Sequence, residues 1–556
     1  MILDARQLPS DQVIECDVCI VGGGPAGIVL ARELGDTWRR VVVLESGGMK
    51  SEEETQELDK ADVVNPRCHP PLHQFRQRRL GGTTNVWSGR CAPLDTIDFV
   101  PRSHVPYSGW PISKEELDPY YVRAHGYCEL GEYSYGVSEA LPDEPGSIIP
   151  ALRSANMSIH QLWRYSPPTN FRKVHTSFLK RSPHIRVFLH ATCMKILTNQ
   201  SGSLVTQLKV ASLRRNEFFV HAKQYVLAAG CLESTRLLLL SDDANPCGLA
   251  NEADLVGRFY MSHLHGSAGE VEITPRGEPT IWDYEQTPEG VYCKRMVRIS
   301  EATQQSAELL NFSSILSPPE LDNPRHRNGV LSAKYLTNCV ISRVAPQTNA
   351  TVISMAGDLR PLGLRSHLKN IVLDFPHVAG FSGKWASNKF AGKRKLLSLG
   401  LNGGSNIFTL EFDAEQAPNP DSRVVLDDKK DTFGLQRLKV DWRVTDLDVL
   451  SALASIEMIG KALTQSGAGR LKIASDLAPG LTLRKATGGH HIGTTRMARE
   501  PYRGVVDEHC QVHGVPNLHV ASSSVFATSG YANPTLTVLA LAIRLADRLK
   551  LVHLPR

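Results

Sequence analysis

Three glycines near the N-terminus have the spacing of a loop that binds a pyrophosphate, Gly22-x-Gly24-x-x-Gly27. The first permits a tight turn, the second lets the backbone approach the pyrophosphate, and the third lets a helix pack closely on a strand. A helix that starts here supplies unpaired N–H groups and a partial positive charge for the anion. Pro25 suits its first turn, because proline has no N–H to leave unpaired. The motif therefore predicts a dinucleotide site.

The sequence around the glycines predicts the elements that such a site needs. An apolar, β-prone run at 13–21 precedes them, residues 28–34 have helical spacing, and a second β run at 41–44 leads to Glu45. A carboxylate at that point can bind the hydroxyl pair of a ribose. The alternative is a sharp strand-to-helix turn without a ligand. The motif alone does not separate FAD from NAD.

Two patterns further along the chain predict two kinds of sheet. Residues 217–230 have the pattern of another strand of the first unit, and 502–556 return to a strand followed by a helix. From 266 to 445 short β-prone runs alternate with turn signals, and 445–466 has helical periodicity. The sequence predicts an α/β protein, in which a Rossmann-type FAD-binding or NAD-binding domain carries an inserted α+β domain on a mainly antiparallel sheet.

Composition and charge exclude several classes of protein. The 556 residues carry 62 basic and 57 acidic side chains, a net charge of +5, so no nucleic-acid or anionic-membrane partner is expected. No short apolar core follows a basic start, so no secretory signal is predicted, and no run reaches the roughly 20 apolar residues of a membrane span. The eleven cysteines are scattered, which favours a cytoplasmic protein.

Three local features have structural interpretations. Cys16 and Cys19 lie within the first β-prone run, so we expect them to fill the core rather than form a redox or metal pair. No set of histidines and cysteines has the spacing of metal ligands, and no metal site is predicted. Segment 363–400 is basic, and we interpret it as a solvated helical face or a lid rather than a surface that docks a partner.

Three blocks of sequence resemble the glucose–methanol–choline (GMC) family of flavin oxidoreductases. They are LGGTTNVW at 80–87, HHIGTTRM at 490–497, and the stretch 504–538, which ends in ANPTLTV. The sequence EQAPNPDSR at 415–423 supports the resemblance, which covers almost the whole chain in the family's order. Within the family, the pattern is most similar to pyranose oxidases and bacterial glycoside dehydrogenases.

The resemblance implies FAD as the cofactor and two domains that alternate along the chain. The FAD-binding domain is expected at 12–100, 170–265 and 470–556, and the substrate-binding domain at 101–169 and 266–469. Some family members attach FAD to a histidine at the position of Val86, so the resemblance implies non-covalent FAD here.

The resemblance also implies two catalytic residues, His490 and Asn533. His490 is the expected base for the hydroxyl proton, and Asn533 is expected to bind the substrate oxygen. The alternative for Asn533 is a helix N-cap, because Pro534 and an apolar helical run follow it. His491 lies beside His490, and in an extended segment the two side chains point to opposite faces. We therefore expect His491 to be a structural hydrogen-bonding residue.

The cofactor contacts combine the glycine motif with positions taken from the resemblance. Thr84 and Asn85 are expected beside the isoalloxazine, and the backbone of Cys193 is expected at the adenine. The full set of predicted cofactor residues is Gly22, Gly24, Pro25, Ala26, Gly27, Glu45, Ser46, Gly82, Thr83, Thr84, Asn85, Cys193, Ala229, Gly230, Ser523, Pro534 and Thr535.

Together these features predict an FAD-dependent enzyme that oxidises the CH–OH group of a sugar or glycoside, with hydride transfer to flavin N5. The alternatives are an enzyme for a sterol or another alcohol, and a lyase of the hydroxynitrile type that uses the same fold. Oxygen or another molecule accepts the electrons, and the further expected partner is an electron-transfer protein or a second copy of the chain.

Overall fold

The computed structural model describes residues 1–37, 39–144, 146–319, 321–344, 363–391, 406–475, 477 and 485–552, apart from the side chains of 341–344 and 384–391. Its largest sheet has eight strands. In order across the sheet they are Ile2–Asp4, Ile185–Leu189, Val41–Glu45, Val13–Val21, Glu217–Leu227, Val205–Ala211 and Thr192–Thr198, with Leu518–Val520 also paired to Glu217–Leu227.

The first five strands of this sheet and Leu518–Val520 are parallel, and the last two strands are antiparallel. Residues 16–21 and 41–45 are buried throughout, as expected for parallel strands that are covered on both faces. Cys16 and Cys19 lie in this buried stretch, as predicted. The C-terminal helix Thr535–Leu551 packs against the helix Pro25–Gly35, which follows the glycines, and against Lys114–Cys128.

A second sheet has six strands, which are all antiparallel. In order they are Gly469–Ile473, Leu264–Ile273, Ile407–Ala414, Phe312–Ser317, Val297–Ile299 and Met157–Ser158. The helix Asp446–Gln465 packs on this sheet and begins at a capping box in which Thr445 and Asp448 bond to each other's backbone N–H groups. The helix predicted over 445–466 is thus confirmed.

Two smaller sheets and several helices complete the described fold. A four-stranded sheet contains Glu285–Gln286, Tyr292–Arg295, Leu162–Tyr165 and Arg90–Cys91, and a three-stranded sheet contains Arg423–Lys430, Gln436–Asp441 and Asp62–Val63. The other α-helices are Glu53–Gln56, Thr96–Phe99, Val137–Ala140, Phe171–Arg181, Gly230–Leu240, Glu301–Ser306, Gly329–Val344, Leu364–Leu373 and Phe375–Ala391; the 3-10 helices are Ala5–Gln7, Glu57–Asp59, Gly82–Asn85, Pro324–His326 and Ser523–Val525.

This architecture confirms the predicted fold class, a Rossmann-type sheet combined with a mainly antiparallel one. The exact domain bounds stay a prediction. Two helices, Leu364–Leu373 and Phe375–Ala391, cover much of the basic segment 363–400. The side chains on which its interpretation depends, Lys384, Lys389, Lys393, Arg394 and Lys395, lie outside the described residues. Among the helices that the structure describes, none has the length and apolar character needed to cross a membrane.

Candidate active site

The three glycines of the N-terminal motif lie between the strand Val13–Val21 and the helix Pro25–Gly35. Gly22 has a φ of +111°, and a Cβ on it would lie 2.5 Å from the carbonyl oxygen of Ala228, which directly follows the adjacent strand Glu217–Leu227. A Cβ on Gly27 would lie 1.9 Å from the carbonyl oxygen of Gly22, so the helix could not pack as it does. By contrast, a Cβ on Gly24 would meet no atom within 4 Å. Gly24 therefore opens onto free space at the N-terminus of the helix.

That free space is a cavity between the glycine loop, the large sheet and the C-terminal helix. Most of the predicted cofactor residues line its wall: Gly22, Gly24, Pro25, Ala26, Glu45, Ser46, Gly82, Thr83, Cys193, Ala229, Gly230, Ser523, Pro534 and Thr535. The N-termini of two helices, Pro25–Gly35 and Thr535–Leu551, reach this wall. Two helix N-termini and an open glycine are the features that hold a pyrophosphate, so the cavity fits FAD.

Three predicted cofactor residues do not line the cavity, namely Gly27, Thr84 and Asn85. The hydroxyl of Thr84 donates to the Gly81 carbonyl at 2.6 Å, and the Asn85 amide donates to the carbonyls of Leu80 and Gly82 at 3.0 and 2.8 Å. These bonds hold the short 3-10 helix Gly82–Asn85 in shape. In the described structure Thr84 and Asn85 therefore position this loop, and their contact with a flavin stays a prediction.

Glu45 lies at the end of its strand, where the sequence predicted it. Its carboxylate accepts the N–H groups of Gly23 at 2.9 Å and Gly47 at 2.8 Å. Burial raises the pKa of Glu45, and these two hydrogen bonds partly oppose that effect. The carboxylate thus ties the second strand to the glycine loop and faces the cavity, where its remaining lone pairs can accept a hydroxyl.

A cluster of charged residues forms another part of the wall. The guanidinium of Arg78 lies 2.7 Å from Asp59 and 2.8 Å from Glu233, and Arg76 lies 2.8 Å from Glu233. Burial raises the pKa of Glu233, but Arg78 and Arg76 outweigh it and hold that pKa well below its usual range. Sequence reasoning missed this cluster, because arginines at 76 and 78 in a polar stretch carry no local signal of burial.

His491 lies at the wall of the cofactor cavity. Its ring is buried between His69 and Tyr260, with ring centres 6.3 and 6.1 Å away, and it lines the cofactor cavity. Its Nε2 has no hydrogen-bond partner among the described residues. The ring also has a hydrogen bond to the backbone of Gly488, so a structural role for His491 stays a prediction. Gly489 and His491 line the cavity, whereas His490 does not.

His490 contacts another histidine, His263, which comes directly before the strand Leu264–Ile273. The two Nδ1 atoms are 2.8 Å apart, and the Nε2 of His263 lies 3.2 Å from the carbonyl oxygen of Ser529. Burial lowers the pKa of His263. Burial and the neighbouring His263 lower the pKa of His490 well below its usual value. Both imidazoles are therefore neutral at neutral pH.

These contacts assign the protons on the two rings. A carbonyl oxygen only accepts, so Nε2 of His263 carries the hydrogen that bonds to Ser529. The Nδ1 of a neutral His263 is then an acceptor, and Nδ1 of His490 must donate to it. The remaining nitrogen of His490, Nε2, carries a lone pair. A ring with one nitrogen held as donor and the other free to accept a proton has the tautomer that general-base chemistry needs.

Asn533 belongs to a polar network next to this pair. The guanidinium of Arg90 donates to Asp413 at 2.7 Å and to Oδ1 of Asn533 at 3.3 Å, and Asp413 also lies 3.0 Å from Nδ1 of His265. His263 and His265 are two residues apart at the start of one strand, so they share a face of the sheet.

The carboxylate of Asp413 is stabilised by the cations around it. Burial opposes ionisation of Asp413, but Arg90 and then His265 outweigh it and lower the pKa of Asp413 below its usual range. The guanidinium of Arg90 also lies 4.5 Å from the centre of the Trp163 ring.

The helix after Asn533 begins at Thr535 with no side-chain cap, so the capping alternative is wrong. The side chain of Asn533 is held by Arg90 instead.

Both predicted catalytic residues therefore lie one position away from the cavity wall, His490 between Gly489 and His491 and Asn533 before Pro534. Sequence reasoning missed His263, Arg90 and Asp413, which surround them. A signal was present for His263, because two histidines separated by one residue at the start of a β run can face one site. Arg90 and Asp413 lie on distant strands and had no such signal.

Comparison with known proteins identifies the cofactor and the class. A profile described as an FAD binding domain matches residues 15–80, which contain the glycine loop and Glu45. A profile described as GMC oxidoreductase matches residues 418–542, which contain His490 and Asn533. Together with the fold and the cavity, these matches define an FAD-dependent oxidoreductase that acts on alcohol groups.

Relatives along the full length identify the family. Paromamine 6'-oxidase of Streptomyces fradiae is 31% identical over 95% of this chain and 90% of its own length. The fructose dehydrogenase large subunit of Gluconobacter japonicus is 22% identical over 97% of this chain and 98% of its own. The chain belongs to the GMC oxidoreductase family, so the predicted family and cofactor are confirmed. The solved structure of pyridoxine 4-oxidase from Mesorbium loti shares the fold, with a TM-score of 0.58 and 17% identity over 97% of this chain and 100% of that one.

Proposed function

We propose that this oxidoreductase converts a CH–OH group of a sugar or glycoside to a carbonyl, with His490 as the base for the hydroxyl proton. The observation that carries the proposal is the 2.8 Å contact between His490 and His263, which leaves Nε2 of His490 free to accept a proton. When bound, FAD supplies the acceptor for the hydride that leaves the carbon. The side chains of the protein bind the alcohol, orient it and remove its proton.

The proton moves from the alcohol oxygen to Nε2 of His490. Burial keeps this imidazole neutral before the reaction, and a base in this position typically contributes roughly 10²–10⁴-fold to the rate. The charge of Asp413 favours the positive charge that then forms on His490, and the charge of Arg90 opposes it. The contact with His263 keeps the ring in the orientation that presents Nε2.

Asn533 orients the alcohol through its amide N–H groups. Because Arg90 donates to Oδ1 of Asn533, the amide has its oxygen turned to the guanidinium and its Nδ2 turned away. Nδ2 is then a donor for the substrate oxygen. A donor and a base on the same oxygen fix which face of the carbon meets the acceptor, and an error of about 1 Å in this placement lowers the rate strongly.

Two observations support a sugar as the substrate class. One full-length relative, the fructose dehydrogenase large subunit, is by its name a sugar dehydrogenase. The network around Asn533 presents charged and amide groups, which suit a substrate with several hydroxyls better than a simple apolar alcohol. A sterol or another alcohol is the second candidate, and a lyase reaction on the same fold is the third.

An anaerobic screen separates these candidates. Sugars, glycosides, sterols and simple alcohols are mixed one at a time with the FAD-loaded protein, and loss of the visible flavin absorbance is followed. The proposal expects bleaching by at least one sugar or glycoside. Bleaching only by sterols or simple alcohols would reject the substrate class, and cleavage of a cyanohydrin without any bleaching would favour the lyase.

Non-covalent attachment of FAD is also a proposal. Val86 has no atom that can bond to a flavin, and the thiols of Cys193 and Cys231 at the cavity wall have their pKa raised to about 12 by burial, so they are not thiolates. The eleven free cysteines support a cytoplasmic location. The electron acceptor, oxygen or another molecule, and an electron-transfer partner or a second copy of the chain stay predictions.

A further inference from the structure

A second cavity, of about 930 Å³, lies apart from the cofactor cavity. Its walls come from residues 101–111, from 253–259 with Pro420, and from 496–503. The two cavities share no lining residue. The contacts argued above for FAD and for the alcohol do not involve this space, which we call the arginine cleft.

Three arginines of the cleft have no acidic partner among the described residues: Arg496, Arg499 and Arg503. Arg496 and Arg499 donate to backbone carbonyls, those of Tyr107 and Pro111. The one carboxylate of the same segment that lines the cleft is Glu500. Three cations against one carboxylate give the wall a net positive charge.

Two more arginines line the cleft but are neutralised within the fold. Arg102 forms a bidentate ion pair with Glu415, with one contact of 2.8 Å, and Arg258 pairs with Asp254. A buried arginine is almost always paired in this way. Arg496 is buried without such a pair, and Arg499 and Arg503 are exposed cations of the same segment that have no acidic partner among the described residues.

Arg496 gives the strongest evidence for a missing counter-ion, because its side chain is buried and only 5% exposed. Its guanidinium lies 4.5 Å from the centre of the Phe259 ring, and its Nε and Nη1 have no hydrogen-bond partner among the described residues. Burial and the charge of Arg503 lower its pKa to about 10. A buried cation without a counter-ion is costly, and an anion in the cleft would offset that cost.

Aromatic side chains form the rest of the wall. Tyr107 and Phe259 meet edge to face with ring centres 5.2 Å apart, and both have left-handed backbones, with φ of +61° and +58°. Such strain is unusual for bulky residues and concentrates at binding sites. Tyr107 and Tyr502 are 55% and 71% exposed, so flat apolar surface faces the space between the arginines.

We propose that the arginine cleft binds an anion attached to a flat apolar group, such as an aryl phosphate or an aryl carboxylate. The guanidinium groups bind the anion, and the aromatic side chains pack on the ring. This site is independent of the proposed alcohol oxidation.

The test is calorimetric titration of the FAD-saturated full-length protein with phenyl phosphate, inorganic phosphate and phenol. Phenyl phosphate is expected to bind at one site, about tenfold more tightly than inorganic phosphate because the aromatic side chains cover its ring, and phenol is expected not to bind. Salt should weaken the binding. Arg499→Gln and Arg503→Gln should each weaken it about tenfold, the loss of one charge-assisted hydrogen bond. Both positions are at the edge of the cleft, so neither change threatens the fold as a change at Arg496 would.

Arg181→Gln is the matched control, because Arg181 is an exposed arginine at the end of the helix Phe171–Arg181 and far from the cleft segments in sequence. It should leave the affinity unchanged. The proposal is overturned if phenyl phosphate does not bind, if both cleft variants bind it as tightly as the parent protein, or if phenol binds as tightly as phenyl phosphate. Equal affinity for inorganic and phenyl phosphate would overturn the role given to the aromatic side chains.

Discussion

Replacement of His263 tests how the reactive form of His490 is selected. In His263→Leu the acceptor at the old Nδ1 position is lost, while a side chain of similar bulk still fills the space. His490 then loses the 2.8 Å hydrogen bond that holds its proton on Nδ1. Its ring can rotate or move the proton to Nε2, and in either case the lone pair no longer faces the alcohol.

The size of this effect follows from the free energy of the lost hydrogen bond. Leaving a donor without its partner costs about 1–3 kcal/mol when the site is fully buried. The contact is partly buried, so we take the lower part of that range, about 1–2 kcal/mol. Since about 1.4 kcal/mol changes a rate tenfold, kcat/KM is expected to fall by about 5-fold to 30-fold.

The assay is the rate of anaerobic flavin bleaching by the best substrate from the screen, at equal FAD content. His263→Asn is the matched variant, because its Oδ1 can replace the Nδ1 acceptor. It should recover most of the lost kcat/KM. The reasoning fails if His263→Leu stays within about twofold of the parent protein, or if the asparagine variant is as slow as the leucine variant.

Four further predictions follow from the same geometry. Because burial and His263 lower the pKa of His490, kcat/KM should be constant above about pH 6.5 and fall only below it, as the ring gains a proton; a fall that begins above pH 6.5 would contradict this. Gly24→Val should fill the open space at the helix N-terminus and reduce the FAD content of the purified protein, read from the ratio of flavin to protein absorbance. Asp413→Asn leaves Arg90 without its carboxylate and should lower the free energy of unfolding by about 3–5 kcal/mol, whereas Glu272→Gln, in an exposed ion pair, should change it little. Acid precipitation should release FAD into the supernatant, and colour that stays in the pellet would contradict non-covalent binding.

The dinucleotide site was largely predictable because its determinants are local. Gly22, Gly24 and Gly27 act within one turn, and their spacing alone implies the close approaches that the structure has. Glu45 follows from the end of the next strand. Such features depend on backbone geometry over about 20 residues, which a sequence displays directly.

The environment of the proposed base was not predictable in the same way. Its contacts join residues that are far apart along the chain. His263 contacts His490, 227 residues away, and Arg90 contacts Asn533, 443 residues away. Asp413 contacts His265, 148 residues away. No local pattern records such contacts. Nor does a local pattern show that the amide of Asn85 donates to two carbonyls of its own loop.

The central claim, that His490 removes the proton of the alcohol, is tested most directly by His490→Ala. The FAD-loaded variant is mixed anaerobically with the best substrate, and bleaching of the flavin is timed against the parent protein. The proposed role predicts that the variant stays yellow on purification, with the same FAD content, and bleaches at least about 10²-fold more slowly. Bleaching at the parental rate would contradict it.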